Sequence, residues 1–296
     1  MDVSIIIVSY NTCDLTLQCL NSIYKETHDV TFEIIVVDNA STDCSVDSIR
    51  SLYPSVIVIA SAENLGFGRA NNLGAQQAKG KYLFLLNSDT LLLDNVVYSL
   101  FEYMESLPIS TKIACCGTSL LDHDKRPVIS GGNFPSLLQD FSDLGFRYLY
   151  PRFYRSRLAV GKTFDGENAI EVDYISGADV FVNRMIFNRL QGFDEDYFMY
   201  YEDTDFFLRL RESGYKALIL PFLHILHLEG ASFKGKHSFK AIRIGLFYKS
   251  KTLYYKKHKN KVSCYVMKLF SVWGCLTRIL KYRTHVTEVI RIIIRA

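Results

Sequence analysis

The stretch that most constrains the fold is YLFLLNSDT, Tyr82 to Thr90, in which an apolar run ends abruptly in Asn87-Ser88-Asp89. The run presents apolar side chains on both alternating faces, which is typical of a central strand covered by helices on both sides. Ligands of open α/β sheets gather at the carboxyl ends of such strands. The pattern therefore predicts a layered α/β sheet with Asp89 at its ligand-binding edge.

Asp89 can serve in either of two ways. Mg²⁺ and Mn²⁺ take oxygen ligands and usually arrive with phosphate groups, so a carboxylate here can hold a cation against a diphosphate. The alternative is an acid that caps the next helix. Taken alone, the Asn-Ser-Asp triplet favours the cap, and the rest of the chain has to decide.

Strand-like and helix-like segments alternate before this stretch. Apolar runs are separated by segments with helical spacing or glycine, in the order 3–10, 14–25, 32–37, 44–52, 56–59, 63–74 and 82–86. This β-α-β order predicts a mainly parallel, twisted sheet with right-handed crossovers.

Asp38 ends the second strand much as Asp89 follows the fourth. A carboxylate there can accept a hydrogen bond from a base N–H or a ribose hydroxyl, with main-chain groups near Ser9 and Tyr10 beside the same ligand. A turn or capping role for Asp38 within Asp-Asn-Ala-Ser-Thr-Asp is equally consistent with the pattern. Asp38 alone does not predict a nucleotide site, and the prediction depends on the other motifs of the chain.

A glycine-rich loop runs into a helix between Asn64 and Gly74. Glycines allow close backbone approach and a helix N-terminus favours anions, so the loop resembles a phosphate cradle. It does not match Gly-x-Gly-x-x-Gly, and no Walker lysine follows. Arg69 can pair with a phosphate or with a surface acid.

Four acids fall between Asp196 and Asp205 in an aromatic setting, and Glu202 and Asp203 open a helix-spaced segment. Capping would explain one of them. Closely spaced carboxylates in an apolar pocket have their pKa values pushed apart, which suits a general base. The later His224 and His227 follow an apolar strand, where a histidine is more often a hydrogen-bonded core residue than a ligand.

The net charge of +3 conceals an acidic body and a basic tail. Residues 234–296 hold 16 Lys and Arg against one acid, whereas residues 1–233 hold 18 against 30. We expect a basic helical extension that lies on an anionic membrane surface, or else ordinary helices packed on the first domain. The aromatic and basic stretch 133–157 can form a lid or a shallow membrane-facing surface, although core filling better explains most of its aromatic residues. The positive charge could also indicate nucleic-acid binding, but the tail contains no recognised nucleic-acid-binding module, and we expect no nucleic acid as a partner.

Seven cysteines without Cys-x-x-Cys spacing favour reduced thiols in a cytosolic protein. The first residues form a strand pattern and not a signal peptide, and no run of 18 uncharged apolar residues occurs. We expect a cytoplasmic protein, peripheral on the inner face of the cell membrane.

Seven motifs, in this order, resemble the family 2 inverting glycosyltransferases of GT-A fold, within the bacterial rhamnosyltransferase-like branch. They are Ser-Ile-Ile-Ile-Val-Ser-Tyr-Asn, Val-Asp-Asn-Ala-Ser-Thr-Asp, Asn-Leu-Gly-Phe-Gly-Arg-Ala-Asn-Asn, Leu-Asn-Ser-Asp, Gly-Phe-Asp-Glu-Asp-Tyr-Phe, Glu-Asp-Thr-Asp and His-Leu-Glu-Gly. The resemblance runs from Val3 to about Ser232. It implies a GT-A catalytic domain over residues 1–233 and a basic amphipathic helical extension over 234–296.

The resemblance also implies roles for single residues. Asp203 would be the general base, with Glu202 beside it. Asp89 would bind Mg²⁺ or Mn²⁺, with His227 completing the shell; Asn87 replaces the first acid of the commoner Asp-x-Asp motif, which leaves fewer anionic ligands. The nucleotide and donor site would comprise Ser9, Tyr10, Asp38, Asn64, Arg69, Asn72 and Asn87, and the acceptor side Gly177, Ala178 and Asp179.

The implied activity is the transfer of one sugar, for example rhamnose from dTDP-rhamnose, because the Gln-x-x-Arg-Trp motif of processive relatives is missing. The acceptor would be a glycan or a polyprenyl-diphosphate-linked sugar in surface polysaccharide assembly. Two alternatives stay open. One is a sugar-nucleotide nucleotidyltransferase, although Asn11-Thr12-Cys13-Asp14 lacks its glycine-rich basic signature. The other is a non-catalytic sugar-nucleotide-binding assembly protein.

Overall fold

Nine strands build the central sheet of the computed structural model, which describes residues 1–228, 238–278 and 286–295. In chain order they are β1 (Val3–Ser9), β2 (Phe32–Asp38), β3 (Ile57–Ala60), β4 (Tyr82–Asn87), β5 (Thr90–Leu92), β6 (Ile113–Leu121), β8 (Ile170–Val172), β10 (Asp179–Asn183) and β11 (Lys216–His227). Two short strands, β7 (Gly131–Gly132) and β9 (Tyr174–Ile175), pair separately.

The sheet order is β3-β2-β1-β4-β10-β6-β11-β5, with β8 also on β11. The four strands of the N-terminal half run parallel to one another, which confirms the predicted α/β sheet. Strand β10 is antiparallel to both of its neighbours, and β5 and β8 run antiparallel to β11. The sheet therefore combines parallel and antiparallel pairs in the part where β10, β5 and β8 join it.

Helices cover the sheet. They are α1 (Cys13–Glu26), α2 (Ser45–Leu52), α3 (Phe67–Gln77), α4 (Val96–Ser106), α5 (Leu137–Ser142), α6 (Pro151–Phe153), α7 (Arg184–Arg189), α8 (Glu202–Glu212), α9 (Ser238–His258), α10 (Lys261–Arg278) and α11 (Val286–Arg295). Because side chains alternate along a strand, Ile6 and Leu85 pack in one core cluster, while Ile5 and Phe84 pack in another. Both faces of the central strands are thus buried, as the apolar runs predicted.

Helix α9 packs into the first of these clusters. Tyr254 and Tyr255 are fully buried in it. Lys251 Nζ lies 2.5 Å from Asp140 Oδ1, and the Tyr255 hydroxyl donates to Asp140 Oδ2 at 2.7 Å. Helix α9 therefore agrees with the second interpretation of the basic extension, that of helices packed on the first domain. Part of its positive charge pairs with acidic residues of that domain.

Helix α10 has one face in the same cluster, through Cys264 and Met267, and another in solvent. Among the described helices, none is both long enough and apolar enough to cross a bilayer. Glu229 and Gly230 of the His-Leu-Glu-Gly motif, and Lys234 at the start of the predicted extension, lie outside the described residues. The division of the chain at residue 233 stays a prediction.

Candidate active site

The predicted site residues meet at one edge of the sheet because of the strand register. Ser9 and Asp38 are paired neighbours at the carboxyl ends of β1 and β2, and Asn87 lies opposite Val8 at the end of β4. Asp179 begins the antiparallel β10 opposite Leu86, so it reaches the same edge from the other direction. Four chain segments thus converge where ligands of α/β sheets bind.

Asp89 and His227 lie side by side at this edge. Strand β5 follows Asp89 at once and pairs with β11, which places His227 opposite Thr90. His227 Nε2 is 3.3 Å from Asp89 Oδ1 and 3.5 Å from Asn87 Nδ2. Because a strand and not a helix follows Asp89, the alternative that it caps a helix is wrong.

The Asp89–His227 pair fits a divalent cation. Adjacent ligands of an octahedral Mg²⁺ or Mn²⁺ lie roughly 3 Å apart, and the observed O–N separation is close to that. One carboxylate and one imidazole leave the other coordination positions to phosphate oxygens and water. A cation held here therefore depends on the ligand as much as on the protein.

A second group with metal-ligand spacing is Asp122, His123 and Asp124, whose ligand atoms all lie within 4.8 Å of one another. It sits in the turn after β6. Asp122 Oδ1 already accepts from the N–H groups of Asp124 and Arg126, at 2.9 and 2.8 Å. The geometry of this group is accounted for by the turn itself.

Asp38 is almost fully buried and uses only one carboxylate oxygen. Oδ2 accepts from Ser41 N at 3.0 Å, whereas Oδ1 is buried with no partner. An unpaired buried oxygen is costly, and a ligand donor would relieve that cost. One oxygen of Asp38 therefore stabilises the turn, while the other can accept a hydrogen bond from a base or a ribose.

Ser9 and Tyr10 flank this carboxylate in different ways. The Ser9 hydroxyl bonds internally to Thr16 Oγ1 at 2.9 Å, and its carbonyl accepts from Asn39 N at 2.8 Å. Tyr10 is 44% exposed beside it. Ser9 thus shapes the site through its main chain.

The glycine-rich loop is held by two asparagines. Asn64 Oδ1 accepts from Gly66 N and from Asn39 Nδ2, both at 3.0 Å, and Asn39 Oδ1 accepts from Leu65 N at 2.7 Å. Sequence reasoning missed Asn39, which is buried and links β2 to this loop. The available signal was its position directly after Asp38.

Arg69 and Asn72 connect α3 to the segment before α8. Arg69 Nε donates to the main-chain oxygen of Glu195 at 2.9 Å and lies 3.9 Å from its carboxylate, which agrees with the surface-acid alternative. The Asn72 amide donates to Phe193 O at 2.8 Å and accepts from Phe193 N at 2.9 Å. Both side chains are engaged within the protein, and their contact with a donor stays a prediction.

Glu202 and Asp203 begin α8, after Tyr200 and Tyr201, which both have φ near +68°. Tyr201 holds the N-cap position, so neither acid is the cap. Asp203 Oδ1 accepts from Thr204 N at 2.6 Å, and Oδ2 accepts from Gly177 N at 3.2 Å. The strained approach aims both carboxylates inward.

The pKa values of both carboxyl groups are raised. Burial raises the pKa of Asp203, against the lowering effect of its hydrogen bonds from Thr204 and Gly177. Burial, then the charge of Asp203, raises the pKa of Glu202 well above its usual value, and Glu202 Oε2 has no partner. Burial therefore favours the protonated form of Glu202, and the charge of an ionised Asp203 favours it further.

Gly177 and Ala178 bridge the two ends of the site. Gly177 N donates to Asp203 Oδ2, and Ala178 O accepts from Asn87 N at 3.0 Å. Two consecutive residues therefore connect the Asn87–Asp89 turn to Asp203. That the two acids act in one cleft stays a prediction.

Asp179 lies beneath this bridge. Its side chain is fully buried, and Oδ2 accepts from Thr118 N and Oγ1 at 2.6 and 2.7 Å. Burial raises the pKa of Asp179 to about 7, while His227 and the Thr118 bonds act in the opposite direction. Oδ1 has no partner. Thr118 is a second residue that sequence reasoning missed, since its position on a buried strand gave no functional signal.

Comparison with known proteins gives a consistent picture. Residues 4–118 match the family model "Glycosyl transferase family 2". The chain is 28% identical over 236 residues to rhamnosyltransferase WbbL of Escherichia coli K12, covering 76% of this chain and 83% of that protein. It is 26% identical over 211 residues to the N-acetylglucosaminyl-diphospho-decaprenol L-rhamnosyltransferase of Mycobacterium tuberculosis, covering 66% of each chain.

Solved structures show the same fold at low identity. GalNAc-T7 with UDP, GalNAc and Mn²⁺ superposes with a TM-score of 0.62 at 16% identity, over 86% of this chain and 48% of that one. Residues 1–349 of TarS from S. aureus, in complex with UDP-GlcNAc, give 0.58 at 16% identity, over 95% and 73%. These likenesses confirm the GT-A architecture of the sheet.

Proposed function

We propose that the chain, which matches the family 2 glycosyltransferase model over residues 4–118, is an inverting enzyme that transfers a single sugar from a nucleotide donor. The acceptor is a glycan or lipid-linked sugar in bacterial surface polysaccharide biosynthesis. The observation that carries the proposal is the bridge of Gly177 and Ala178 between Asp203 and the Asn87–Asp89 turn. The bridge supports a shared cleft for the proposed base and the proposed diphosphate site.

At the donor end, the free Oδ1 of Asp38 accepts from the base or the ribose of the nucleotide. Asp89 and His227 would hold Mg²⁺ or Mn²⁺ there. The bound cation supplies stabilisation of the negative charge that builds on the leaving nucleoside diphosphate. Asn87, beside His227, adds a neutral group to the same turn.

At the acceptor end, Asp203 takes the proton from the attacking hydroxyl. The attack is a single displacement at the anomeric carbon, which inverts its configuration and forms no covalent enzyme intermediate. The Gly177 N–H and Thr204 hold the carboxylate in place. A protonated Glu202, which burial favours, would leave no second negative charge to oppose the ionisation of Asp203.

The names of two relatives support the choice of substrates. Both are rhamnosyltransferases, and the mycobacterial one is named for a diphospho-decaprenol acceptor. The chain spans just under two thirds of that relative's length. We propose dTDP-rhamnose as donor and a polyprenyl-diphosphate-linked sugar as acceptor.

A lipid-linked acceptor requires contact with the membrane, and α10 supplies a surface for it. Five apolar residues spaced three or four apart lie on one side of α10 and are 46–70% exposed: Val262, Tyr265, Leu269, Trp273 and Leu276. The aromatic segment before α6 lies next to this helix, since the rings of Phe141 and Phe270 are 5.9 Å apart. Aromatic and basic residues together suit an anionic membrane surface, so we propose peripheral attachment on the cytoplasmic side.

The test combines binding with turnover. Nucleotide sugars are screened by thermal shift with and without Mn²⁺, since a ligand of the folded state raises its stability. The stabilising donor is then incubated with a polyprenyl-diphosphate sugar. A new glycolipid supports the proposal; donor binding without transfer would point to a binding protein, and formation of a nucleotide sugar from NTP and sugar phosphate to a nucleotidyltransferase.

Membrane attachment has its own test. Vesicles containing anionic lipid should retain the wild-type chain and release the Trp273→Ala and Leu269→Ala double variant. A Val46→Ala variant, changed on α2 at a partly exposed apolar position, should bind as the wild type does. Equal retention of all three would contradict a role for α10.

A further inference from the structure

Cys13 and Cys44 bring their sulfur atoms together beside the nucleotide edge of the sheet. Cys13 is the first residue of α1 and follows β1, whereas Cys44 directly precedes α2 and follows β2. Their Sγ atoms are 3.0 Å apart, although the residues are far apart in the chain. A disulfide bond is about 2.05 Å long, so closing it requires the sulfurs to approach by about 1 Å.

The two loops that carry these thiols are already tied together. Cys13 N donates to Asp43 Oδ2 at 3.0 Å, Asn11 N donates to Ser41 Oγ at 2.9 Å, and Thr42 N donates to Asn11 Oδ1 at 2.8 Å. These bonds fix the backbone on either side of each cysteine. The sulfurs are therefore held near each other by the fold and do not meet only by chance side-chain rotation.

We propose that Cys13 and Cys44 form an oxidisable dithiol, a modification site that takes low-molecular-weight disulfides such as oxidised glutathione. The two thiols differ in a way that suits this exchange. Cys44 is exposed, so its sulfur is accessible to a soluble disulfide. Cys13 is buried next to it, so the sulfur within its reach is that of Cys44 itself.

The exchange proceeds in two steps. The Cys44 thiolate attacks one sulfur of oxidised glutathione, which forms a mixed disulfide and releases one glutathione thiolate. The Cys13 thiolate then attacks the Cys44 sulfur and releases the second glutathione. The two protein thiols are oxidised to one disulfide, oxidised glutathione is reduced to two molecules of glutathione, and the two thiol protons pass to them.

The disulfide would clamp the loop that supports Asp38. Ser41 N, in the same loop as Cys44, donates to Asp38 Oδ2. The cross-link also closes a segment of about 30 residues, which removes chain entropy from the unfolded state. Oxidation should therefore stabilise the protein and fix the loops after β1 and β2 in their present relation.

The test uses the full chain in oxidised or reduced glutathione. Cleavage before aspartate releases residues 2–13 and residues 43–46 as separate peptides, and cleavage before Asp14 separates Cys13 from Cys19. Mass spectrometry of the oxidised protein should find these two peptides joined. The oxidised protein should also melt about 5 °C higher than the reduced one.

Variants give the controls. Cys44→Ser should abolish both the joined peptide and the rise in melting temperature, while Cys275→Ser, changed at a partly exposed cysteine on α10, should keep both. The proposal is overturned if Cys44 ends as a stable mixed disulfide with glutathione while Cys13 stays free, or if neither thiol reacts. Neither readout uses transferase activity, so the result is independent of the proposed function.

Discussion

Asp203 and Asn87 bond to two consecutive residues: Oδ2 of Asp203 accepts from Gly177 N at 3.2 Å, and Asn87 N donates to Ala178 O at 3.0 Å. The acid that begins α8 and the turn that follows β4 are 116 positions apart in the printed sequence. A single peptide link between Gly177 and Ala178 therefore sets the spacing between the proposed base and the proposed diphosphate site.

The pH dependence of transfer should reflect Asp203. A general base must be ionised, and the raised pKa of Asp203 moves its ionisation above the ordinary aspartate value of about 3.9. The rate should therefore fall as pH is lowered through that raised pKa. Measurement of log kcat/KM against pH should show an acid limb of slope one, and Glu202→Gln should keep it because the proposed base is Asp203. A profile that stays flat down to pH 4 would contradict the assignment.

Divalent-cation dependence should be lost when the Asp89–His227 pair is broken. Asp89→Asn removes the anionic ligand. We therefore expect the factor by which Mn²⁺ strengthens nucleoside diphosphate binding to be at least ten times smaller in this variant than in the wild type. Calorimetric titration of the nucleotide with and without Mn²⁺ measures this. Asp124→Asn, in the acidic turn after β6, is the matched control and should behave as the wild type. If Asp124→Asn lost the Mn²⁺ effect and Asp89→Asn kept it, the cation site would instead lie in that turn.

Gly66 should tolerate no side chain. Its φ is +81°, and a Cβ there would lie 2.2 Å from the carbonyl oxygen of Phe198. Gly66→Ala should lower the free energy of unfolding by about 3 kcal/mol, from strain and clash together. Gly166→Ala separates the two effects, because Gly166 also has positive φ but nothing lies within 4 Å of its Cβ. Denaturant unfolding should show a clearly smaller loss for Gly166→Ala; equal losses would mean that the contact with Phe198 is unimportant.

The buried ion pair of α9 should be necessary for stability. Lys251→Ala leaves Asp140 buried without its cation, and breaking such a pair costs about 3–5 kcal/mol. Lys259→Ala, at the exposed residue directly after the same helix, removes the same charge from the surface and should cost less than 1 kcal/mol. Urea unfolding of both variants compares them directly. Equal stability would show that α9 contributes little to the core.

Local pattern was enough to predict strands β1 to β4 and the position of Asp89. A strand buried on both faces is apolar throughout, and Asn-Ser-Asp marks its end without ambiguity. The insertion of β10 beside β4, and the pairing of β5 with β11 that brings His227 to Asp89, depend on residues far apart in the chain. No periodicity within either segment specifies that partner.

Polar residues that support the site were harder to recognise than those that form it. Asn39 and Thr118 make their contacts with main-chain groups and with Asp179, and neither belongs to a pattern with a chemical meaning of its own. The basic extension was also ambiguous, because Lys251 and Lys257 look like a solvated charge run until Asp140 and Asp194 are placed beside them.

The most direct measurement is transfer by Asp203→Asn, with donor and acceptor in excess. Asparagine keeps the size of the side chain but cannot take a proton, so the rate should fall at least a thousandfold while the dissociation constant of the nucleotide stays within about twofold. Asp165→Asn, at an exposed acid outside the cleft, should retain the wild-type rate. A rate for Asp203→Asn within tenfold of the wild type would contradict the account.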